Sequence, residues 1–201
     1  MEKQSHASGR LMHLFSARLA LTLVAAMVLT VPIAAHDGLS WRSYAEAGGG
    51  ISITGHQLRP LLALESGIII GAIELGSHVR ALPLEFGGPD LIQAAAVAYG
   101  GSIGYTLDTG DNFFKPFGRI GLGGIYASEA DGDGGFSSIG AEKKFSGALT
   151  LGVALPVSER WSARLWGSYR MTDNALDFEG TSLTGFDIGA SIRASWTTTV
   201  R

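Results

Sequence analysis

The stretch RWSARLWGSYRM, residues 160–171, alternates two kinds of side chain along its whole length. Successive side chains of a strand point to opposite faces, so one face would be mainly apolar and the other rich in arginine and serine. The first face comprises Trp161, Ala163, Leu165, Gly167, Tyr169 and Met171, and the second comprises Ser162, Arg164, Trp166, Ser168 and Arg170. The stretch predicts an amphipathic β-strand, and the fold depends on which face meets water.

Similar alternating runs, separated by turn residues, continue through most of the chain, which is typical of an all-β domain. The clear runs besides the first are residues 95–107, 117–127, 145–157 and 182–196. Three further strands are expected within residues 41–54, 61–76 and 79–86. A helix is the other interpretation of residues 61–76, but Gly67 and the apolar run 68–70 favour a strand, whereas Pro83 weakens the last run. Eight strands joined by alternately short and long connections predict an antiparallel up-and-down β-barrel.

The composition of the less apolar face decides which side meets water. On a water-soluble barrel this face would form the surface and would be rich in lysine and glutamate. Here it is mostly glycine, alanine, serine and threonine, and only 16% of the chain is charged, against about 25% in ordinary soluble domains. Small residues fit the narrow lumen of an eight-stranded barrel, and a bulky apolar exterior is stable in lipid. We therefore expect a transmembrane β-barrel, with a periplasmic lipocalin-like barrel as the alternative.

Aromatic residues are spaced to suit the two interfaces of a membrane. Trp161 and Tyr169 are eight residues apart on one face, which corresponds to roughly 20 Å along the membrane normal at about 3.3 Å per residue and a tilt near 40°. Phe186 and Trp196, on the last strand, are ten residues apart with aliphatic and small residues between them. These four residues are candidates for the aromatic girdles that flank the apolar band.

The first 35 residues have the layout of a secretory signal peptide. Residues 1–18 carry three basic residues against a single acid, and residues 19–35 carry no charge and end in small residues that suit cleavage. An uncleaved anchor helix is the alternative, but the run is short for a bilayer span and contains Pro32. The expected organisation is a signal peptide, 1–35, followed by an exported barrel domain, 36–201.

Three segments of the chain look like the penultimate hairpins and the closing strand of a known family. They are KPFGRIGLGGIYA (115–127), ALTLGVALPVSERWSARLWGSYRM (148–171) and GFDIGASIRASW (185–196). The chain resembles the small OmpA-like outer-membrane barrels, that is, the OmpA transmembrane domain and the OmpX and opacity-protein group. The resemblance implies assembly by the outer-membrane insertion machinery. Family barrels usually end on an aromatic residue that serves as the insertion signal, whereas here Trp196 is followed by TTTVR.

The inward faces carry isolated charges, which must be paired in a narrow lumen. They are Glu46, Asp108, Arg119, Arg164, Arg170, Asp187 and Arg193. If the first and last strands pair to close the barrel, Glu46 could reach Arg193 or another of these arginines. The main interpretation is an ion-pair plug that fills the lumen, and the alternative is a gated or leaky pore.

No pattern in the sequence predicts catalysis, a cofactor or a metal site. The acids of EADGDGG (129–135) resemble a calcium loop, but Gly140 stands where the bidentate glutamate is required. Some eight-stranded barrels modify lipid A, yet Ser77 and His78 are adjacent and would face opposite sides of a strand. The chain has no cysteine, which excludes disulfides and thiolate metal sites.

The charge balance limits the partners of the protein. A net charge of −3 argues against nucleic acid, which needs basic patches. The expected surroundings are membrane lipid and the lipopolysaccharide of a Gram-negative cell outer membrane, and loops 128–135 and 172–180 are expected outside, where they could bind a host or envelope component. The sequence therefore predicts a non-catalytic, exported outer-membrane barrel with a structural or surface-interaction (adhesin-like) role.

Overall fold

The computed structural model describes residues 41–55, 57–86, 92–110, 113–130, 136–173, 177–178 and 181–198. The predicted signal peptide, 1–35, and the centre of the loop 128–135 lie outside these residues. Within the described part of the chain, no helix is long and apolar enough to cross a membrane.

The described residues form eight long strands and one short hairpin. The long strands are β1 (Trp41–Thr54), β2 (Gln57–Ile70), β3 (Ile73–Phe86), β4 (Ile92–Thr106), β5 (Lys115–Ala130), β6 (Phe136–Pro156), β7 (Trp161–Thr172) and β10 (Gly185–Thr198). The short strands β8 (Asp177–Phe178) and β9 (Thr181–Ser182) pair only with each other among the described residues. Each long strand has at least 12 residues, enough for a tilted strand to cross a bilayer.

The long strands close into an antiparallel barrel in the order β1-β10-β7-β6-β5-β4-β3-β2. The first strand closes on the last in continuous register, from Trp41 opposite Thr198 to Thr54 opposite Gly185. Closure removes the unpaired sheet edges that lipid could not solvate. The predicted fold class, an eight-stranded up-and-down barrel, is confirmed. Below, the end of the barrel at Trp41 and Thr198 is called the lower end, and the end at Gly55 the upper end.

The strand predicted at residues 61–76 is wrong in its boundaries. β2 ends at Ile70, a tight turn follows at Gly71, and β3 starts at Ile73. Gly71 has a φ of 61°, which glycine adopts without steric cost. Pro83 lies within β3 where a register shift interrupts the pairing with β4, and such an irregularity tolerates a residue without an N–H.

The connection expected at residues 128–135 is shorter than predicted. β5 continues to Ala130 and β6 already begins at Phe136. The upper parts of these strands pair from Ala127 opposite Ile139 to Ala130 opposite Phe136, above a register shift. The hairpin therefore rises beyond the level at which β6 begins to pair with β7, which is Ser146 opposite Thr172.

The outer and inner faces of the barrel differ sharply in polarity. Large apolar side chains are exposed all around the outside, among them Ile51, Leu62, Ile103, Ile120, Leu122, Leu149, Leu151, Leu165, Ile188 and Ile192. The inside buries charged residues, and Arg164, Arg170 and Asp187 are at most 2% exposed. An apolar exterior around a charged interior is stable when the exterior faces lipid.

The four aromatic girdle candidates lie on the outer face at two levels. Tyr169 and Phe186 are direct cross-strand partners near the upper end. Trp161 is opposite Ala194 near the lower end, and Trp196 lies two residues further along β10. All four side chains are more than 40% exposed. The four residues therefore lie at two separate levels of the barrel, as their spacing in the sequence predicts. That these levels coincide with the two membrane interfaces remains a prediction.

Replacing Leu151 by arginine tests the lipid-facing exterior. Leu151 is 61% exposed, in the middle of the barrel wall, opposite Gly118 and Gly167. We expect Leu151→Arg to lower the free energy of unfolding from lipid vesicles by about 2–4 kcal/mol, because the charge would lie near the bilayer midplane. The measurement is a urea titration in vesicles.

The matched control is Val157→Arg, in the lower turn that joins β6 and β7, where the side chain is 73% exposed. Its expected cost is about 0–1 kcal/mol, as for a charge near the interface. Equal costs for the two arginines would contradict a lipid-facing position for Leu151.

Candidate functional site: the charged lumen

Two sets of ion pairs fill the lumen. The lower network consists of Glu46, Glu65, Glu74, Arg119, Arg164 and Arg193, which come from six of the eight long strands. The upper network consists of Arg80, Arg170 and Asp187. Each residue belongs to the inward-pointing series of its strand, because inward positions recur every second residue.

Glu74 is the hub of the lower network. Arg193 donates to both of its carboxylate oxygens, at 2.8 Å to Oε1 and 3.0 Å to Oε2. Arg164 donates to Oε1 at 2.8 Å, and Arg119 to Oε2 at 3.0 Å. The hydroxyl of Thr106 also donates to Oε1, at 2.6 Å. A single buried carboxylate thus holds three guanidinium groups from three different strands.

Two further glutamates complete the charge balance of the lower network. Glu46 faces Arg193 directly across the closing β1–β10 pair, and Arg193 donates to its Oε2 at 2.7 and 2.9 Å. Glu65 accepts hydrogen bonds from Arg119 and, at 2.6 Å, from the hydroxyl of Tyr44. Three carboxylates therefore meet three guanidinium groups. Pairing of this kind is what makes buried charge tolerable.

The upper network is held together by one aspartate. Arg170 donates to both oxygens of Asp187, at 3.2 and 3.0 Å, and its Nε donates to the backbone carbonyl of Leu183 at 3.0 Å. Arg80 reaches Asp187 at 3.4 Å and also donates to the hydroxyls of Ser168 and Thr150. This network joins β3, β6, β7 and β10.

Inward aromatic rings pack against the guanidinium groups. The guanidinium carbon of Arg164 lies 3.8 Å from the centre of the Phe117 ring, and that of Arg193 lies 3.9 Å from the centre of the Tyr44 ring. These distances are well within the range of cation–π attraction. The rings hold the arginines in position and fill lumen volume that would otherwise admit water.

Inward glycines provide the space for these large side chains. A Cβ on Gly152 would lie 2.7 Å from the ring of Phe117, and one on Gly76 would lie 2.3 Å from the hydroxyl of Tyr44. Distances this short exclude a side chain at either glycine unless the partner moves. The high glycine content of the chain thus partly reflects the packing of a narrow, filled lumen.

An apolar layer lies above the upper network. It consists of Leu61, Leu82, Ile125 and Leu183, all of which are at most 1% exposed and belong to one packed cluster. Leu183 comes from the connection that follows β9, so this segment dips into the upper mouth of the barrel. Three layers therefore obstruct the lumen: aliphatic side chains, the upper network and the lower network.

Six of the seven charged residues predicted from the sequence lie in the two networks. They are Glu46, Arg119, Arg164, Arg170, Asp187 and Arg193. Asp108 does not, because β4 ends at Thr106 and the aspartate lies in the exposed lower connection. There Lys115 lies 3.2 Å from its carboxylate, and this hydrogen bond, with one from the backbone N–H of Gly110, lowers the pKa of Asp108 below its ordinary value.

Sequence reasoning missed Glu65, Glu74 and Arg80. All three lie on β2 or β3, the part of the chain in which the predicted strand boundary is wrong. The signal was present, since Glu65 is in the same alternating series as Leu61 and Ala63, and Arg80 in the same series as Glu74 and His78. Recognising the turn at Gly71 would have placed each of these residues inside.

The structure is similar to two solved outer-membrane barrels. Neisserial surface protein A has a TM-score of 0.60 and 15% sequence identity, over 77% of this chain and 96% of that chain. The N-terminal β-barrel domain of Pseudomonas aeruginosa OprF has a TM-score of 0.53 and 12% identity, over 77% of this chain and 97% of that chain. No family model and no curated protein matches the sequence. The likeness to these two solved barrels confirms the fold that was expected from the OmpA-like and OmpX-like resemblance.

Replacing Glu74 by glutamine tests the role of the hub. The isosteric amide keeps the volume but removes the charge that holds Arg119, Arg164 and Arg193. We expect Glu74→Gln to lower the free energy of unfolding by about 3–5 kcal/mol, since the change leaves excess positive charge buried. Urea unfolding in vesicles, followed by tryptophan fluorescence, measures the effect.

The control is Asp108→Asn, which removes a carboxylate from the exposed pair with Lys115. This change is expected to leave the unfolding midpoint unaltered. A midpoint for Glu74→Gln that matches the parent chain would refute a stabilising lower network.

Proposed function

We propose that the protein is a bacterial outer-membrane barrel with a structural and surface-interaction role, and that its lumen is closed. The observation that carries this proposal is the combination of a lipid-compatible exterior with a lumen filled by paired charges. Within the part of the chain that the structure describes, such a barrel offers neither an open channel nor a reactive cleft. The parts left for interaction are the rim and its connections.

Closure of the lumen favours this role over that of a leaky pore. An ion moving along the axis would have to displace Leu183 and then separate Arg170 from Asp187. It would then have to pass the arginines that are bound to Glu74. Each separation would leave a buried charge unpaired, which costs several kcal/mol. The ion-pair plug is therefore the function we assign to the charged residues of the lumen.

A catalytic role has less support than a binding role. Ser77 and His78 point to opposite faces of β3, with Ser77 outside and His78 among the lumenal arginines. A nucleophile and its base need hydrogen-bonding contact, and these two residues lack the geometry for it. His56 lies outside the described residues. A lipocalin-like carrier is disfavoured by the filled lumen and the apolar exterior.

The upper rim is uneven, and its raised part is the surface we assign to interaction. β3 and β4 pair up to Phe86 opposite Ile92, and β5 and β6 up to Ala130 opposite Phe136. On the other side of the barrel, β1 and β10 stop at Thr54 opposite Gly185. The four strands β3–β6 thus form a sheet that projects beyond the rest of the wall. Projection away from the bilayer suits contact with another surface.

The orientation in the membrane follows from the connections. The lower end carries both ends of the barrel chain, the tight turns at 71–72 and 157–160 and the connection 107–114, and we assign this end to the periplasm. The raised sheet then faces outward, in the lipopolysaccharide leaflet and beyond. Export through the inner membrane would require the predicted signal peptide, and insertion would require recognition of β10, whose Trp196 lies within the closing β1–β10 pair.

Planar-bilayer recordings test the closed lumen. We expect no sustained single-channel conductance from the refolded wild-type barrel. The matched variant carries Glu74→Ser and Arg164→Ser, which removes one charge of each sign and opens space in the lower lumen without changing the net charge of the lower network. This variant should show brief openings. Steady conductance by the wild-type chain would overturn the plug and favour the pore.

Shortening the raised hairpin tests the interaction surface. Ala127 and Ile139 are direct partners, so an Asn-Gly turn that replaces residues 128–138 can close the hairpin at that rung. Cells that display the wild-type barrel should attach to cultured epithelial cells more than cells that display the shortened barrel. Unfolding midpoints of the two barrels should agree. Equal attachment by both would argue against the raised sheet as the contact surface.

A further inference from the structure

A small cavity lies between the lower and upper networks. Its volume is about 20 Å³, and its charged and polar lining consists of Glu46, Glu65, His78, Arg80, Arg119, Thr150 and Ser191. A cavity of this size holds a single water-sized species. The lining comes from β1, β2, β3, β5, β6, β7 and β10, so the cavity exists only in the folded barrel.

The charges around this cavity are unequal. In the lower network three guanidinium groups meet three carboxylates, but in the upper network Arg80 and Arg170 share Asp187. Arg170 takes both aspartate oxygens at 3.2 and 3.0 Å, whereas Arg80 reaches Asp187 only at 3.4 Å. Its shorter hydrogen bonds go to the neutral hydroxyls of Ser168 and Thr150. The charge of Arg80 is thus only partly compensated by Asp187, and its guanidinium also lies 5.5 Å from the centre of the Trp166 ring.

Two other groups on the cavity wall have unused hydrogen-bonding capacity. The Nε–H of Arg119, a residue only 7% exposed, is buried and has no partner in the described structure. The imidazole of His78 also makes no hydrogen bond to a described residue, and it lies over Gly121, where a Cβ would be 2.8 Å from its Cε1. Unpaired buried donors are costly and normally have a partner, whether protein, water or ion.

The two carboxylates that line the cavity, Glu46 and Glu65, already accept hydrogen bonds from other residues. Glu65 accepts from Tyr44, Ser102 and Arg119, and Glu46 accepts from Ser191 and from the arginines of the lower network. Their negative charge is therefore directed into existing hydrogen bonds. Among the described residues, the cavity keeps a positive charge that is only partly compensated and hydrogen-bond donors that lack a partner, and both would be satisfied by an occupant that is negatively charged and accepts hydrogen bonds.

We propose that this cavity is a binding site for one small monovalent anion, chloride under ordinary conditions. The anion would balance the excess charge of Arg80 and accept from His78 and the Arg119 Nε–H. It would join the upper and lower networks into one continuous plug. Because several strands must be assembled to form the site, anion binding would stabilise the folded barrel and be lost on unfolding.

Urea unfolding at constant ionic strength tests the site. Sodium chloride is exchanged for sodium gluconate, whose anion is too large for the cavity. A single site predicts that, above saturation, each tenfold rise in chloride raises the folding equilibrium constant about tenfold. Equal stability in chloride and gluconate would overturn the proposal.

Three variants assign the effect to the cavity. Arg80→Gln removes the excess charge and should abolish the chloride dependence, and Gly121→Ala should reduce it by pushing His78 into the cavity without changing any charge. Lys115→Gln, which removes a cation from the exposed lower connection, should retain the full dependence. A chloride effect that survives Arg80→Gln would place the anion elsewhere.

Crystals of the wild-type barrel grown in sodium bromide provide a test that does not depend on folding of the variants. Bromide should give an anomalous scattering peak in the cavity, within hydrogen-bonding distance of Arg80 or His78. Density without anomalous signal at this position would identify a water molecule and refute the anion site.

Discussion

The structure depends on the neutralisation of charge inside a barrel whose outside is apolar. Lipid solvates the outer side chains, so the polar atoms of the barrel are directed inward, where they must find partners in a narrow space. Glu74 does most to meet this requirement, because it holds arginines of β5, β7 and β10 from its position on β3. The contacts cross the lumen and therefore fix the register of strands that are not neighbours in the sheet.

The same constraint explains the unusual composition of the inner face. The lower lumen holds six arginine and glutamate side chains and the rings of Tyr44 and Phe117. The inward positions that face them must therefore carry small residues. Gly76 and Gly152 are two such residues, and a side chain at either position would collide with Tyr44 or Phe117. Small residues inside and bulky residues outside are thus two consequences of one packing problem, with the charges setting where the glycines are needed.

Much of the fold was predictable because alternation specifies the faces of long strands. The inward positions of Glu46, Arg164 and Arg193 follow from strands β1, β7 and β10, whose patterns are regular. Glu65 and Glu74 were missed because a two-residue turn at Gly71 interrupts an apolar run without a cluster of turn residues. The pair of Glu46 and Arg193 follows from the closure of β1 on β10. The other pairings were not predictable, since contacts across the lumen depend on the stagger of the closed barrel. The same holds for the cavity, which exists only between the assembled networks.

The central claim is that successive residues of β7 face lipid and a filled lumen in turn. Because the chain has no cysteine, single nitroxide labels can be placed at Ala163, Leu165 and Met171 outside and at Ser162, Ser168 and Thr172 inside. In lipid vesicles the outer labels should be accessible to oxygen, and the inner labels should be inaccessible both to oxygen and to a water-soluble nickel complex. Outer labels that are accessible to the nickel complex, or no alternation along the strand, would contradict this structure of the barrel.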